Sequence, residues 1–486
     1  DDTGNNMQSF MHTNHAIARI NYKLNRPDSA FHYLNFNQYL HQTPTKNYPN
    51  GNPYHNYTTN MWFGKIYTKK RDFENAKASF DKALEQANQH PSDLSYSFYE
   101  IHQAIADFFY VQARWDETIQ HCQIATQKLI SDYPIAALDA LPNYKKTPFL
   151  RELWELVLLK SKAFEQQGKT ALAYEQVQHA ILIINALQNG FNGENSKLFI
   201  TQVTIPTYEL AIDLAIKSGD KAAAFAYSEQ SKSVLLFSAL KNNAAKRFGN
   251  IPDSLIQKET NLAQNVVVYE KLLFEAENSK DTLRINTYQP KILKIRQEMA
   301  VLQVLFETNY PKYHELKYQP QIASVKQVQN YINDTTLLLE YFVGDSSIYI
   351  FAIQKEDFVI EKIKKEAAFN KTANTLYRSL KNVSKLNAEY DALLERFSSN
   401  AHQIYKQFLE PVLVPNKKQL IIVPSGKFAN LPFEVFLQSL SSQQKTSDFK
   451  SLDYLVNNYI INYQYSTSLM LYFHPELSNN GKVLAM

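Results

Sequence analysis

The spacing of hydrophobic residues divides the chain into a long helical part and a shorter part in which strands alternate with helices. Up to about residue 310, small and apolar residues recur at intervals of three and four, the period of an amphipathic helix. From residue 337 the pattern changes to β-rich runs at 337–344, 347–354 and 358–363, separated by short turns. The predicted fold class is an α-helical array followed by an α/β domain.

Several segments of the helical part repeat one skeleton of small and aromatic residues. In residues 60–88, Gly64 and Tyr67 lie on a first predicted helix, Phe73 lies at a turn, and Ala76 and Phe80 lie on a second helix. Small residues of this kind are expected where two helices cross closely. Corresponding residues in later copies are Ala106, Phe109, Trp115, Thr118, Cys122 and Ala125; Ser161, Phe164, Thr170, Ala173, Val177 and Ala180; and Ile212, Ala215, Ala224, Ser228 and Ser231. A weaker first copy falls in residues 16–40, around Ala18 and Ala30.

This skeleton resembles the tetratricopeptide repeat, in which helix pairs stack into a superhelix whose concave face holds peptides or partner domains. The copies are further apart than the roughly 34 residues usual for this repeat, and the additional residues fall in connectors at 41–57 and 131–148. The resemblance implies that residues 1–248 form an array that binds a protein or peptide partner. The alternative is an array that only scaffolds the domain after it.

Residues 249–318 are predicted to form a long helical hairpin. Pro252 is suited to a first helical turn and Asp253 to a cap. Two long amphipathic runs follow, separated by the polar segment "ENSKDTLRINT". We expect the two helices to fold back on each other, with a coiled-coil dimer as the alternative.

Residues 319–486 are predicted to form the α/β domain. After the three strands, helices are expected at about 365–382 and 387–410, then a strand at 419–423, a turn through Pro424-Ser425-Gly426 and the start of another helix. A further strand at 459–463 leads through a polar turn to a last helix. That strand, or one begun at Val483, is expected to form an open sheet edge.

Residues that follow these two strands are candidates for a substrate pocket, because α/β folds build sites at the carboxyl ends of their strands. The candidates are Ser425, Gly426, Tyr465, Ser466 and Ser468. In the alternative interpretation, proline and glycine only end the strand, and Ser466 or Ser468 caps the next helix.

Four segments, in order, resemble the CHAT domain, a caspase-like peptidase domain that commonly follows tetratricopeptide repeats. They are "LLLEYFVGDSSIYIFAI", "FLEPVL", "LIIVPSGKFANLPFEVFL" and "YLVNNYIINYQYSTSLMLY". The resemblance implies a partner-regulated cysteine peptidase whose sheet edge carries a His before a Gly and a Cys in a Ser-Ala-Cys-like turn. Neither motif occurs in these 486 residues. It therefore implies that the sequence is an inactive fragment, with no catalytic residue of its own and the dyad beyond residue 486. A non-catalytic interaction scaffold with a degenerate CHAT domain is the alternative.

Charge and composition narrow the kinds of ligand and compartment that are expected for this protein. The net charge is only +4 and no basic stripe is present, so nucleic acid is not expected as a direct ligand. No apolar run is long enough to predict a membrane span. The single cysteine, Cys122, cannot form an internal disulfide, and it falls where a repeat places a large core residue. We expect a buried, inert thiol, and no cofactor or metal. The cytoplasm is favoured as the compartment, and a removed signal peptide stays open.

Overall fold

The computed structural model describes residues 3–42, 56–89, 95–190, 194–232, 251–279, 282–318, 322–381, 390–440 and 448–473. By the contacts between its residues the chain forms two compact units, Asp1–Leu187 and Gln188–Met486. The predicted domain boundaries after residues 248 and 318 stay predictions. In the observed division, the last predicted repeat copy belongs to the second unit.

The regular secondary structure of the first unit is helical in its described residues, and neighbouring helices pack in pairs. The helices are α1 (Thr3–Lys23), α2 (Pro27–Gln42), α3 (Asn56–Lys70), α4 (Phe73–Gln89), α5 (Ser95–Val111), α6 (Trp115–Leu129), α7 (Leu150–Gln166) and α8 (Thr170–Gly190). These pairs lie at the predicted positions. The predicted helix-pair packing is therefore confirmed, and its assignment to the tetratricopeptide repeat stays a prediction.

One turn geometry recurs between the two helices of every predicted pair, including α9 (Glu194–Lys217) and α10 (Lys221–Gln230) of the second unit. In each turn one residue has a positive φ, and the amide of the next residue donates to the carbonyl five positions earlier, as Asp72 does to Tyr67. This bond closes the end of a helix in the left-handed conformation. The positive-φ residues are Asn25 (58°), Arg71 (60°), Ala113 (58°), Gly168 (74°) and Gly219 (80°). The predicted copies therefore share a backbone turn as well as a sequence pattern.

Close helix crossing explains the small residues of the repeat. A Cβ atom on Gly64 would lie 2.5 Å from the Phe80 ring, so only glycine fits at this crossing of α3 and α4. Ala76 and Ala83 are fully buried in the same core as Phe80. The aromatic ring fills the space that these three small residues leave.

The connector between α6 and α7 is held by side chains of the helices beside it. Lys160 of α7 donates to the carbonyl oxygen of Ala140 at 2.9 Å, and Gln176 of α8 donates to that of Asp139 at 2.8 Å. Burial lowers the pKa of Lys160 to about 8. The connector at 131–148 is thus an ordered part of the first unit, whereas the connector at 41–57 lies almost entirely outside the described residues.

Cys122 lies in the core between α5, α6 and α7, with 1% of its surface exposed. Burial raises the pKa of its thiol, and the nearby carboxylate of Asp107 raises it further. A thiol that stays protonated and inaccessible is a poor nucleophile. The prediction of a buried core residue is confirmed, and its inertness stays a prediction.

The second unit contains a helical hairpin and a mixed sheet. Besides α9 and α10, its helices are α11 (Asp253–Ser279), α12 (Thr282–Asn309), α13 (Pro311–Tyr318), α14 (Val325–Tyr331), α15 (Ala367–Lys381), α16 (Tyr390–Phe408) and α17 (Thr467–Phe473). Helices α11 and α12 pack against each other around Leu262, Leu302 and Phe306, as the predicted hairpin requires. Within the described residues no helix is long and apolar enough to cross a membrane.

The sheet has the strand order β3-β2-β1-β4-β5. Its strands are β1 (Thr336–Val343), β2 (Ser347–Ile353), β3 (Phe358–Lys364), β4 (Gln419–Val423) and β5 (Ile460–Tyr463). β1, β2 and β3 are antiparallel neighbours, whereas β4 is parallel to both β1 and β5. All five strands were predicted from the sequence pattern. β5 lies at one edge of the described sheet, as expected, and Val483 lies outside the described residues.

The side chains of alternate residues in β1 point to opposite faces of the sheet. Leu337, Leu339 and Tyr341 pack into a core with α15 and α16. Glu340 and Phe342 therefore point to the opposite face. That face is covered by α10, since the ring of Phe225 lies 5.8 Å from that of Phe351, the cross-strand partner of Glu340.

The prediction of a helix start after β4 is wrong. Residues Gly426–Asn430 and Phe433–Val435 form two short 3₁₀ turns instead. Pro432 has no amide hydrogen and disfavours the α conformation at Leu431, so a regular helix cannot form across them. The apolar residues that suggested the helix are nevertheless buried, and Phe433 and Phe436 lie in the core beneath the sheet.

Replacing Ala76 by leucine should destabilise the first unit by about 1–3 kcal/mol, because the added atoms have no space at the helix crossing. The matched control is Ala78→Leu on the same helix, where the side chain is exposed and little change is expected. Equal melting temperatures for the two variants in a thermal unfolding experiment would contradict the packing described here.

Candidate functional site

The carboxyl ends of β1, β4 and β5 lie at one edge of the sheet, because the three strands are parallel. Glu340 of β1 is paired with Val423, the last residue of β4, and Ile422 is paired with Tyr463, the last residue of β5. The loops that leave these strands therefore start side by side. Crevices at such an edge are where open α/β sheets bind their ligands.

Two of the predicted pocket residues, Ser425 and Gly426, follow β4 at this edge. Ser425 is half-buried, and its carbonyl oxygen accepts from the amide of Phe428 in the first 3₁₀ turn. Gly426 is exposed and has a φ of 56°, and a Cβ atom there would lie 3.1 Å from Cβ of Val343. Glycine thus lets the β4 loop pass close to the end of β1.

The other three predicted residues follow β5 and have different surroundings. Tyr465 is 81% exposed at the edge. Ser466 is buried, and its hydroxyl accepts from the amide of Leu469 at 3.1 Å, which caps the first turn of α17. Ser468 is also buried, and its hydroxyl accepts from the amide of Ala323 at 2.9 Å. Ser425, Gly426 and Tyr465 are therefore accessible, the two buried serines hold backbone amides, and a pocket role for any of them stays a prediction.

A buried carboxylate that the sequence analysis did not single out lies beneath this edge. Glu340 has no exposed surface, although it lies in the middle of the hydrophobic strand β1. It accepts from the hydroxyls of Ser228 and Thr467, each at 2.7 Å, and its Oε1 lies 2.8 Å from Nζ of Lys232. One side chain thus joins α10, β1 and α17.

A second buried carboxylate, Glu229 of α10, lies beside it. Glu229 accepts from the backbone amides of Thr467 at 3.0 Å and Ser468 at 2.6 Å, in the first turn of α17. Burial raises its pKa, and the negative charge of Glu340 raises it further, to about 8. Glu229 and Glu340 are the functional candidates that the sequence analysis missed.

Helix α9 is attached to the turn between β1 and β2 by a third carboxylate, Glu209. Its oxygens accept from the backbone amides of Asp345 at 2.7 Å and Ser346 at 3.0 Å in the β1–β2 turn, and of Ser347 at 2.8 Å at the start of β2. The hydroxyl of Ser346 donates a further bond of 2.6 Å. Converging amides of this kind form a concave site for an anion, and here the anion belongs to the chain itself.

One turn along α9, Asp213 makes a second set of contacts. It accepts from the hydroxyl of Tyr349 at 3.1 Å and pairs with the ammonium groups of Lys362 and Lys217. Burial alone would raise the pKa of Asp213, but the two ammonium groups hold it below its ordinary value. Glu209 and Asp213 together fix α9 to the β1–β2 turn, β2 and β3.

A signal for part of this arrangement was present in the sequence. Glu340 is the one charged residue in the run "TLLLEYFV", and a charge in a strand buried on both faces needs partners. Nothing in the helical pattern of α9 and α10 marks Glu209 or Glu229 as those partners. Their contacts exist only after the helices and the sheet have packed together.

No protein-family model matches the chain, and no curated protein is similar enough to count as a match.

Gly344→Ala should destabilise the second unit by about 1–3 kcal/mol, because its Cβ atom would overlap Cδ of Glu209 and would displace that carboxylate. Glu209→Ala removes the same contacts, so the double variant should cost clearly less than the sum of the two single changes. Asp345→Ala is the matched control in the same turn, since its side chain is exposed. Chemical denaturation of the four variants measures the coupling, and simple additivity would contradict the role given to Gly344.

Proposed function

We propose that the chain is part of a partner-regulated, caspase-like cysteine peptidase of the CHAT type, in which the helix-pair array binds protein or peptide partners. One observation carries this proposal. A helix pair with the repeated turn, α9 and α10, is bonded through Glu229 and Ser228 to residues at the carboxyl edge of a mixed sheet. A helix pair with the repeated turn is therefore part of the unit that contains the sheet. This supports a protein in which binding of a partner is linked to the edge of the sheet.

The catalytic pair of this peptidase is not among the 486 residues. Cys122, the one cysteine, is buried with a raised pKa, and it lies in the first unit. We therefore assign two roles to the 486 residues of the chain. The array receives the partner, and Ser425, Gly426 and Tyr465 line one side of the substrate cleft.

The test is to sequence and express the gene product beyond residue 486. We expect a His-Gly pair and a cysteine in a turn after the next strands, with thiol-dependent cleavage of peptides that is lost when that cysteine becomes alanine. Cys122→Ala is the control and should retain full activity. A downstream sequence with no such pair would instead support the interaction scaffold, and loss of activity in Cys122→Ala would contradict the assignment of the site.

A cavity in the first unit supports partner binding and indicates the chemistry of the partner. The cavity has a volume of about 500 Å³ and lies between α1, α3 and α5, within the size range of ligand pockets. Its lining residues are Tyr22, Lys65, Thr68, Lys69, Arg71, Ala104, Asp107, Tyr110 and Val111. Three cations against one carboxylate favour an acidic segment, and Asp107 and the tyrosine hydroxyls can accept hydrogen bonds from its amides.

The position of Lys69 in this cavity is determined by its neighbours. Its ammonium group donates to the carbonyl oxygen of Tyr22 at 2.8 Å and lies 4.5 Å from the centre of the Tyr22 ring. Lys65 lies 4.9 Å from the ring of Trp62. Aromatic rings thus hold two cations at the cavity without neutralising their charge.

Binding can be measured by fluorescence anisotropy with labelled acidic, neutral and basic peptides of equal length. We expect acidic peptides to bind best, with an affinity that falls as salt is added and falls by about tenfold in Lys65→Ala, the loss of one charge-assisted contact. Lys82→Ala, an exposed lysine of α4, is the control of equal charge change. Equal binding of neutral peptides, or an equal loss in Lys82→Ala, would contradict an acidic partner at this cavity.

A further inference from the structure

Two carboxylates and one ammonium group meet in the interior of the second unit. Glu340 has no exposed surface, Glu229 is 3% exposed, and the side chain of Lys232 is 8% exposed. With both carboxylates ionised, the cluster would carry a net charge of −1. A buried net charge is costly, and a group in this situation takes up a proton in preference to remaining charged.

Among the residues that the structure describes, no charge besides those of Glu340 and Lys232 acts on Glu229. From β1 the group that faces it is Glu340, and from the residues after α10 it is Lys232. Helix α17 offers the backbone amides of Thr467 and Ser468, which favour the charged form of Glu229 without neutralising it. The two carboxyl groups are also in hydrogen-bonding reach of each other, so one proton can serve both.

The bonds of Glu340 are consistent with a shared proton. Its two oxygens accept from the hydroxyls of Ser228 and Thr467, and its Oε1 lies 2.8 Å from Nζ of Lys232 as an ion pair. Glu229 accepts from two backbone amides of α17, and it is the group better placed to carry the proton. Protonated, Glu229 can donate to Glu340 while its carbonyl oxygen still accepts an amide of α17.

We propose that Glu229 and Glu340 share one proton and form a proton-dependent latch that holds α10 and the first turn of α17 against β1. Loss of this proton sets two negative charges against each other in the interior and weakens the attachment of α17. Tyr465 and Ser466 immediately precede that turn, so the latch controls the loop at the carboxyl edge of the sheet. It depends on these contacts alone and is independent of the proposed peptidase activity.

The direction of the pH dependence follows from the raised pKa of Glu229. Between its ordinary value of 4.5 and about 8, the folded protein holds a proton that the opened state releases. The stabilisation is therefore complete below pH 4.5 and is lost as the pH rises toward 8. Each unit of pH in this window changes the opening equilibrium by up to about tenfold.

Hydrogen exchange of the full chain, followed by mass spectrometry on peptides that cover 460–473, measures the latch directly. After correction for the intrinsic exchange rate, we expect the protection factor of α17 to fall by several-fold per pH unit between pH 5 and 8. Glu229→Gln keeps an acceptor for an amide and a donor for Glu340 but cannot ionise, so its protection should not depend on pH. Glu209→Gln is the matched control, a buried carboxylate on the same helix pair, and should keep the wild-type slope.

Wild-type protection that is independent of pH, or an unchanged slope in Glu229→Gln, would overturn the proposal. If Glu229→Gln does not fold, the unmodified chain still decides the question by infrared difference spectroscopy. The carbonyl stretch of a protonated carboxyl group should be present at pH 6 and absent at pH 10. Absence of that band at pH 6 would show that no proton is shared.

Discussion

A carboxylate in the middle of a buried strand has to be satisfied by its neighbours, because desolvating it without partners would cost more than the strand gains from packing. Glu340 meets this requirement with two hydroxyls and an ammonium group drawn from α10, α17 and the residues after α10. Those segments cannot separate from the sheet without leaving a buried charge unpaired. The carboxyl edge of the sheet is organised around this constraint.

The elements of the fold could be predicted because their signals are local. The helix pairs follow from small and apolar residues at intervals of three and four, and β4 was predicted with the bounds that the structure shows. The prediction of a helix after β4 was wrong for an equally local reason. The apolar residues of this segment fit a helical spacing, but Pro432 prevents a regular helix. Hydrophobic spacing shows that such a segment is buried, and the proline determines its backbone.

The candidate site was predictable only in part, because its contacts join residues distant in sequence. The turn residues Ser425, Gly426 and Tyr465 were found from their position after strands. In contrast, Ser228 and Glu340 are 112 residues apart, and Glu229 and Ser468 are 239 apart. No periodicity connects such residues. Such contacts give one local signal in the sequence, which is a polar residue at a position that the hydrophobic pattern assigns to the core. Glu340 is the clearest case.

The fifth helix pair has the same turn as the other four pairs but is bonded to the sheet. Gly219 gives α9 and α10 the same turn that Gly168 gives α7 and α8, so the backbone of the pair is that of the other copies. Its difference lies in polar residues that point away from the pair. Glu209 accepts hydrogen bonds from backbone amides at the β1–β2 turn and the start of β2, and Glu229 accepts them from backbone amides of α17. Because these bonds are directional, they fix the pair at one position on the sheet, which a purely apolar contact would not do.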